Sequence, residues 1–264
     1  MIKIKEYVKA TSLEEAYQLN QKRGARVIGG MLWMKMMKTN VTTAIDLSGL
    51  GLDQIEETEE EYRIGCMTSL RALELHEGLC KLSQGMIPAS VEHIVGVQFR
   101  NLATVGGSIF GRFGFSDVMT CFLALDSYVE LYKGGIVPMT EFVKMKKDKD
   151  ILVRVIVKKQ EMKGAYLSQR ITKTDFPTLT VAVAAFNDQV RVVVGARPGI
   201  AMVIPVSDQM KERILSGDYC ENCAKSFAEE LSAQVKMDSN IKGSAEYRTH
   251  LSRVLIRRGL MQMK

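Results

Sequence analysis

Residues 98–109 read Gln98-Phe99-Arg100-Asn101-Leu102-Ala103-Thr104-Val105-Gly106-Gly107-Ser108-Ile109. The glycine pair in this stretch lets the backbone come close to a ligand, because no Cβ intrudes and φ can be positive. Successive backbone N–H groups in such a turn form a nest for an anion. The stretch therefore predicts an anion site, with an ordinary turn as the alternative.

A second glycine pair, Gly29-Gly30, follows the short apolar stretch 25–28, which predicts a β-strand. Two nests that face each other could hold a pyrophosphate through backbone dipoles instead of lysines. Taken alone, Gly29-Gly30 favours an ordinary turn. Neither pair fits the pattern G-x-G-x-x-G, so the sequence does not support a Rossmann fingerprint.

The composition is that of an ordinary globular protein, with 46% hydrophobic and 25% charged residues among 264. The net charge of +6 has two interpretations, a nucleic-acid face or a dispersed positive surface that meets an acidic protein partner. Because the basic residues form no long run interleaved with aromatics, we expect no nucleic-acid binding. No apolar run approaches the roughly 18–20 residues of a membrane span, and no signal-peptide core is present. We therefore expect a cytoplasmic protein without a membrane segment.

The predicted elements alternate between helix and strand before a final helical region. Residues 12–23 predict a helix. Ser12 can cap its N-terminus, and Glu15, three residues later, completes a capping box. Residues 179–186 and 189–194 predict a β-hairpin that turns at Asn187-Asp188. Residues from 207 onward predict helices. The other predicted elements are strands at 43–47, 54–58, 62–68, 127–132 and 151–157 and helices at 69–76 and 117–125.

Several stretches, in order along nearly the whole chain, resemble the flavin subunits or flavin domains of the xanthine dehydrogenase and carbon monoxide dehydrogenase family. The most specific is 98–109, which resembles the family motif IRN-ATVGGNI. The other matching stretches are Arg26-Val27-Ile28-Gly29-Gly30 with Met36-Met37-Lys38, Ala44-Ile45-Asp46-Leu47, Arg63-Ile64-Gly65-Cys66-Met67-Thr68-Ser69-Leu70, Asp117 with Leu123-Ala124-Leu125-Asp126, and Gly243-Ser244-Ala245-Glu246-Tyr247-Arg248.

The resemblance implies an α+β fold with a two-part FAD-binding domain of the PCMH/vanillyl-alcohol-oxidase type. A small α/β subdomain, about 1–53, and a larger mainly β subdomain, 54–163, would clamp FAD between them. A C-terminal α+β domain, 164–264, with an antiparallel sheet and helices, would pack behind them.

The resemblance also implies the activity of an oxidoreductase subunit in a molybdenum hydroxylase complex. FAD would accept electrons from iron–sulfur clusters on a [2Fe-2S] subunit, in a complex with a molybdenum-cofactor subunit, and pass them to an acceptor such as NAD. No catalytic acid or base is predicted, because electron transfer needs none. The alternative is a flavin-free subunit that only assembles the same kind of complex.

By position, the resemblance assigns two loops to the pyrophosphate of FAD, Asp117 to the cofactor site, and Ile94 and Leu152 to apolar positions beside the cofactor. The first loop comprises Arg26, Val27, Ile28, Gly29, Gly30, Met31, Leu32 and Trp33, and the second Thr104, Val105, Gly106, Gly107 and Ser108.

The sequence departs from the family pattern at three places. Met31-Leu32 stands where the family has a small polar and an acidic residue, so backbone but not side-chain hydrogen bonds are retained. Residues 111–114 replace Asn-Ala-Ser-Pro, and Arg112 within them would either bring a positive charge near the phosphates or point into water. Leu167 replaces a common lysine.

Cysteine, histidine and methionine residues often take part in catalysis or metal binding, but the sequence favours structural roles for them here. Cys220-x-x-Cys223 is open between a structural role, a metal half-site and a redox pair, and its polar helical setting without a second pair favours the structural role. Five cysteines, an odd number, indicate reduced thiols. We predict no metal site, because His76, His93 and His250 lack zinc-site spacing. The group Met31, Met34, Met36 and Met37 favours adaptable core packing, with a flavin or partner surface beside Trp33 as the alternative.

Overall fold

The computed structural model describes residues 1–264, which form twelve β-strands, eleven α-helices and one 3-10 turn at Met34–Met36. The strands are β1 Lys3–Lys9, β2 Arg26–Ile28, β3 Asn40–Asp46, β4 Ile55–Glu57, β5 Glu61–Gly65, β6 Ser127–Leu131, β7 Gly135–Pro138, β8 Leu152–Lys158, β9 Met162–Arg170, β10 Pro177–Phe186, β11 Gln189–Gly195 and β12 Met202–Ile204. The helices are α1 Leu13–Gln21, α2 Leu70–Leu75, α3 Glu77–Leu82, α4 Met86–Val91, α5 Val97–Leu102, α6 Val105–Phe110, α7 Asp117–Ala124, α8 Met139–Phe142, α9 Asp208–Ser216, α10 Glu221–Ala233 and α11 Ala245–Met263. None of these helices combines the length and the apolar character that a membrane crossing requires.

The helix predicted at 12–23 is present as α1. The Ser12 half of the predicted capping box forms, with the Glu15 N–H donating to Ser12 Oγ at 3.1 Å. The Glu15 carboxylate accepts from the Thr11 N–H at 2.7 Å, one residue before the predicted partner. Two elements on either side, β1 and the 3-10 turn, were not predicted, because their charged and methionine-rich sequences lack a clear strand or helix period.

The chain forms two compact units. The first unit comprises Met1–Leu73, Val97–Gly111 and Ser127–Lys158. It contains a parallel sheet in the order β1-β3-β2 and an antiparallel sheet in the order β4-β5-β8-β6-β7. Strand β3 lies at the centre of the parallel sheet, and its residues Val41 and Ala44 form a small apolar core with Ile28 of β2.

The second unit comprises Glu74–Gly96, Arg112–Asp126 and Lys159–Lys264. Its sheet is antiparallel in the order β12-β11-β10-β9, and the predicted hairpin is formed by β10 and β11, with Phe186 opposite Gln189. Asn187 takes the positive φ of 49° that the turn requires. The helices α9, α10 and α11 supply apolar side chains to the core over this sheet. The predicted domain division at 163/164 stays a prediction.

Candidate functional site

The first loop leaves the parallel sheet directly after β2. Ile28 is the last paired residue of this strand and lies opposite Asp46, and Gly29-Gly30 follows. Met31 adopts a left-handed backbone with φ of 56°, and the Lys35 N–H donates to the Met31 carbonyl at 2.9 Å. The loop therefore turns sharply at Met31, where a methionine occupies a conformation that costs roughly 1–2 kcal/mol.

The conformation of Met31 leaves a run of backbone donors available. The N–H groups of Gly30, Met31 and Leu32 donate no hydrogen bond within the protein. Consecutive N–H groups around a left-handed residue form a nest that suits an anion. The positive φ expected at a glycine pair is wrong, because Gly29, Gly30, Gly106 and Gly107 all lie outside the positive range. The nest forms one residue later than the sequence suggested.

The first glycine pair is required by close packing against the second loop. A Cβ on Gly29 would lie 2.6 Å from Thr104 Oγ1, and a Cβ on Gly30 would lie 1.9 Å from the carbonyl oxygen of Leu102. Trp33 extends the contact, with its ring edge-on to Phe99 and the ring centroids 5.6 Å apart. The two loops that the sequence paired by motif are therefore in direct contact, which their separation of some seventy residues could not establish.

The second loop is the start of helix α6 and not an open turn. Thr104 caps the helix, and its Oγ1 accepts from the Gly107 N–H at 3.1 Å. The Val105 N–H donates to the Thr68 carbonyl at 2.9 Å, and the Gly106 N–H donates to the Cys66 carbonyl at 2.8 Å. The fold itself thus uses the N–H groups that the sequence assigned to an anion. The first loop supplies the available backbone donors.

The two glycines of the second loop have different environments. Gly106 is buried, and a Cβ there would lie 2.7 Å from the Cys66 carbonyl oxygen. Gly107 is exposed, and a Cβ there would meet only Thr104 Oγ1 at 3.1 Å. Gly106 is therefore needed for packing, whereas Gly107 keeps the surface beside the first loop open.

Leu152 belongs to the same unit as both loops. It is buried at the start of β8, and the next residue, Val153, accepts a hydrogen bond from the Cys66 N–H at 2.9 Å. Cys66 thus joins β8 to helix α6, since its carbonyl accepts from Gly106. Sequence reasoning missed this role of Cys66, although it lies in the stretch 63–70 that matched the family.

The methionines of the first loop divide into two pairs. Met31 and Met34 pack against the small core of Ile28, Val41 and Ala44, as the packing interpretation predicts. Met36 and Met37 are more than half exposed, at 62% and 55%. The loop is therefore anchored by one pair while the other lies on the surface.

Asp117 lies in the second unit, as the first residue of α7. Its carboxylate is buried and accepts hydrogen bonds from the Tyr166 hydroxyl at 2.6 Å and from the Arg170 guanidinium. Burial raises the pKa of Asp117 to about 6, although the positive charge of Arg170 opposes the shift. Burial also raises the pKa of Tyr166 well above its usual value, so the phenol remains a donor to the carboxylate.

The second unit also contains Ile94, Arg112 and Leu167, which the sequence analysis singled out. Ile94 is half-buried after α4. Arg112 is buried, with φ of 46°, which excludes one of its two alternatives, a side chain that points into water. Leu167 lies in β9 and packs against the apolar core of this unit. Core packing therefore accounts for a leucine at position 167, where the family commonly has a lysine.

The geometry of the first unit fits the pyrophosphate of a dinucleotide. Such a group brings about two negative charges, whose burial without partners is very costly. Hydrogen bonds from N–H groups to a charged oxygen contribute roughly 1.5–3 kcal/mol each. The donors on Gly30, Met31 and Leu32 meet this need without any polar side chain at positions 31 and 32, and Arg26, Lys35 and Lys38 are exposed nearby in the sequence.

Two family descriptions together match almost the whole chain. Residues 2–159 match "FAD binding domain in molybdopterin dehydrogenase". Residues 165–263 match "CO dehydrogenase flavoprotein C-terminal domain".

Curated relatives align over nearly their full lengths. The protein YgfM of Escherichia coli (strain K12) is 22% identical over 262 residues, which cover 96% of this chain and 94% of that protein. The nicotine 6-hydroxylase medium subunit of Paenarthrobacter nicotinovorans is 25% identical over 276 residues, with coverage of 97% and 96%.

Solved structures show the same fold. Carbon monoxide dehydrogenase from Hydrogenophaga pseudoflava superposes with a TM-score of 0.86 at 20% identity, covering 98% of this chain and 96% of that chain. Quinoline 2-oxidoreductase from Pseudomonas putida 86 superposes with a TM-score of 0.85 at 18% identity, covering 100% and 96%. At these identities the likeness establishes the architecture and confirms the predicted α+β fold.

Proposed function

Because this chain belongs to the family of FAD binding domains in molybdopterin dehydrogenases, we propose that it passes electrons from iron–sulfur clusters on a partner subunit to FAD and on to an acceptor such as NAD. The cofactor is FAD, and the chain is the flavoprotein component of an oxidoreductase, as the sequence predicted. The observation that carries the proposal is that the two glycine loops contact each other, and that backbone N–H groups of the first loop make no hydrogen bond within the protein.

In this proposal the first loop holds the pyrophosphate. The N–H groups of Gly30, Met31 and Leu32 donate to phosphate oxygens, and Met31 and Met34 hold the loop in place through their apolar contacts. Thr104 keeps helix α6 in register against Gly29, so that Gly107 and Ser108 line the same surface. Arg26, Val27 and Ile28 fix the start of the loop by pairing with β3, and Trp33 fixes its end by packing on Phe99.

FAD, when bound, supplies the redox chemistry, and the chain supplies binding, orientation and electrostatics. Val105 and Gly106 act as packing residues under the loop. We assign Asp117, Ile94 and Leu152 to the cofactor surroundings on the family resemblance. The buried hydrogen bonds of Asp117 with Tyr166 and Arg170 would hold that carboxylate in one orientation.

The proposed partners are a molybdenum-cofactor subunit and a [2Fe-2S] subunit. A relative named as the medium subunit of nicotine 6-hydroxylase supports this assembly. The net charge of +6 would favour an acidic partner surface. A cytoplasmic location is part of the proposal and accords with five free cysteine thiols.

The test begins with the purified chain. We expect it to bind one FAD and to show a flavin absorbance band, but to hydroxylate no purine or aldehyde by itself. A chain that folds but retains no FAD would favour the assembly-only alternative. Turnover of an organic substrate without a partner would contradict the proposal.

A second arm tests the acceptor. The chemically reduced, FAD-loaded chain is mixed with NAD, and the formation of NADH is followed by its absorbance. We expect NADH at a rate that rises with NAD concentration. No NADH formation under conditions in which an artificial dye reoxidises the protein would rule NAD out as the acceptor.

A further inference from the structure

The second unit holds two cysteines in contact at the start of a long helix. Cys220 is the N-cap of α10, and its Sγ accepts from the Cys223 N–H at 3.3 Å. The Sγ atoms of Cys220 and Cys223 lie 2.8 Å apart. Cys220 is exposed and Cys223 is half-buried. The i, i+3 spacing thus places both sulfurs together at a surface that small molecules reach.

A fixed positive charge lies beside the pair. The Arg213 guanidinium donates to Cys223 Sγ at 3.1 Å. It is held by the carbonyl of Asp218 at 3.3 Å and lies over the Phe227 ring, 5.3 Å from its centroid. The charge is therefore placed by the fold of this unit and not by a freely moving side chain.

A carboxylate at the helix start is paired with an arginine. Glu221 follows Cys220 and pairs with Arg257 of α11 at 3.4 Å. The hydrogen bonds from Cys220, followed by that from Arg213, lower the pKa of the Cys223 thiol to about 7. The helix N-terminus adds positive potential of the kind that favours a thiolate.

The pKa values of the two buried cysteines shift in the opposite direction. Burial raises the pKa of Cys66 and Cys121 to about 12, so neither thiol ionises near neutral pH. No group of three or more His, Cys, Asp or Glu side chains in the chain could hold a metal ion. A metal half-site at 220 and 223 thus lacks further ligands, whereas dithiol chemistry needs only these two sulfurs.

We propose that Cys220 and Cys223 form a dithiol centre that exchanges with low-molecular-weight disulfides such as glutathione disulfide. The Cys223 thiolate attacks one sulfur of the external disulfide, breaks its S–S bond and releases one thiolate, which takes up a proton. Cys220 then loses its proton and attacks Cys223 Sγ, forming the 220–223 disulfide and releasing the second thiol. The two cysteines are oxidised and one external disulfide is reduced to two thiols.

The geometry suits this exchange. A disulfide bond is about 2.05 Å long, so sulfurs that start 2.8 Å apart must approach by less than about 1 Å. The thiolate is the attacking species, and a thiol with a pKa near ambient pH is the most effective nucleophile. The inference concerns the second unit alone and does not depend on the proposed electron transfer.

The test uses the full chain, equilibrated with reduced and oxidised glutathione at several ratios and quenched with acid. Peptide mass spectrometry should show a 220–223 disulfide that dithiothreitol reverses, with Cys66 and Cys121 still reduced. In Cys220→Ser, glutathione should accumulate on Cys223. Absence of the internal disulfide at every ratio, or modification of half-buried Cys80 as fast as of the pair, would overturn the proposal.

A second measurement tests Arg213 without requiring a disulfide. The rate of iodoacetamide alkylation at Cys223 is followed against pH in the Cys220→Ser background, where the thiol is isolated. Arg213→Met should move the profile to higher pH and slow alkylation at pH 7 about tenfold, since fewer thiolates are present. The matched control is Lys225→Met, on the exposed side of the same helix. An unchanged profile in a folded Arg213→Met protein would show that Arg213 has no part in the site.

Discussion

Gly30→Ala tests whether the two glycine loops pack backbone to backbone. The added Cβ would lie 1.9 Å from the carbonyl oxygen of Leu102 and 2.5 Å from its carbonyl carbon. Because both atoms belong to the backbone, no side chain can rotate away. The loops must separate by about 1.5 Å before an ordinary van der Waals distance is restored.

The structure sets the expected size of this effect. Overpacking of a closely packed site costs about 1–3 kcal/mol. The displacement moves the Gly30 and Met31 N–H groups away from the second loop, so FAD affinity should fall roughly 5- to 100-fold. Gly107→Ala is the matched control for stability alone, since its Cβ would meet only Thr104 Oγ1 at 3.1 Å. Alanine also suits the first turn of helix α6 better than glycine.

The assay compares urea unfolding of both variants with wild type, and FAD titration of Gly30→Ala with that of wild type. Trp33 is the single tryptophan of the chain and packs on Phe99 beside the mutated loop, so its fluorescence reports the local change. Circular dichroism reports the whole chain. If Gly30→Ala matched wild type in unfolding midpoint, Trp33 emission and FAD affinity, the backbone contact and the reasoning built on it would be wrong.

Three further predictions follow from other contacts. Thr104→Val removes the oxygen that accepts from the Gly107 N–H and should lower the free energy of unfolding by about 1 kcal/mol, measured in urea; an unchanged midpoint would contradict the cap. The folded pKa of Asp117 lies near 6, above its ordinary 3.8, so its stabilising contribution is full below about pH 4 and is lost as pH rises to about 6. Wild type should therefore lose stability relative to Asp117→Asn across this window, and parallel curves would refute the raised pKa. A chain ending at Lys163 loses β10, on which the fully buried α7 packs, and should bind hydrophobic dyes or aggregate; a folded, monomeric fragment would show that α7 needs no such cover.

Local sequence signals predicted the elements that local forces fix. The Ser12 helix cap and the turn at Asn187-Asp188 depend on residues within four positions of each other, and both formed as predicted, although Glu15 accepts from the Thr11 N–H and not from that of Ser12. The methionine-rich segment 31–37 has no helix or strand period. Its sequence therefore predicted neither the left-handed backbone of Met31 nor the 3-10 turn. A positive φ at a methionine is set by the packing around the loop, which no local pattern records.

Contacts between distant segments lay beyond sequence reasoning. The motif suggested that the two glycine loops share a ligand, but the reason for Gly30 is the Leu102 carbonyl, 72 positions along the chain. Likewise, Asp117 was assigned by resemblance, while its partners Tyr166 and Arg170 are about fifty residues away. In the second loop the motif assigned backbone N–H groups to a ligand. These groups instead donate to oxygen atoms of Thr68, Cys66 and Thr104 within the protein.

Amide hydrogen exchange at the first loop tests the central claim most directly, because it reports the individual donors that the account assigns to the FAD pyrophosphate. The N–H groups of Gly30, Met31 and Leu32 have no partner within the protein. In the FAD-free protein they should therefore exchange rapidly. On saturation with FAD we predict that exchange at these three amides slows at least tenfold, while the already bonded amides of Val105, Gly106 and Gly107 change less. Tight FAD binding with unchanged exchange at Gly30, Met31 and Leu32 would contradict the account.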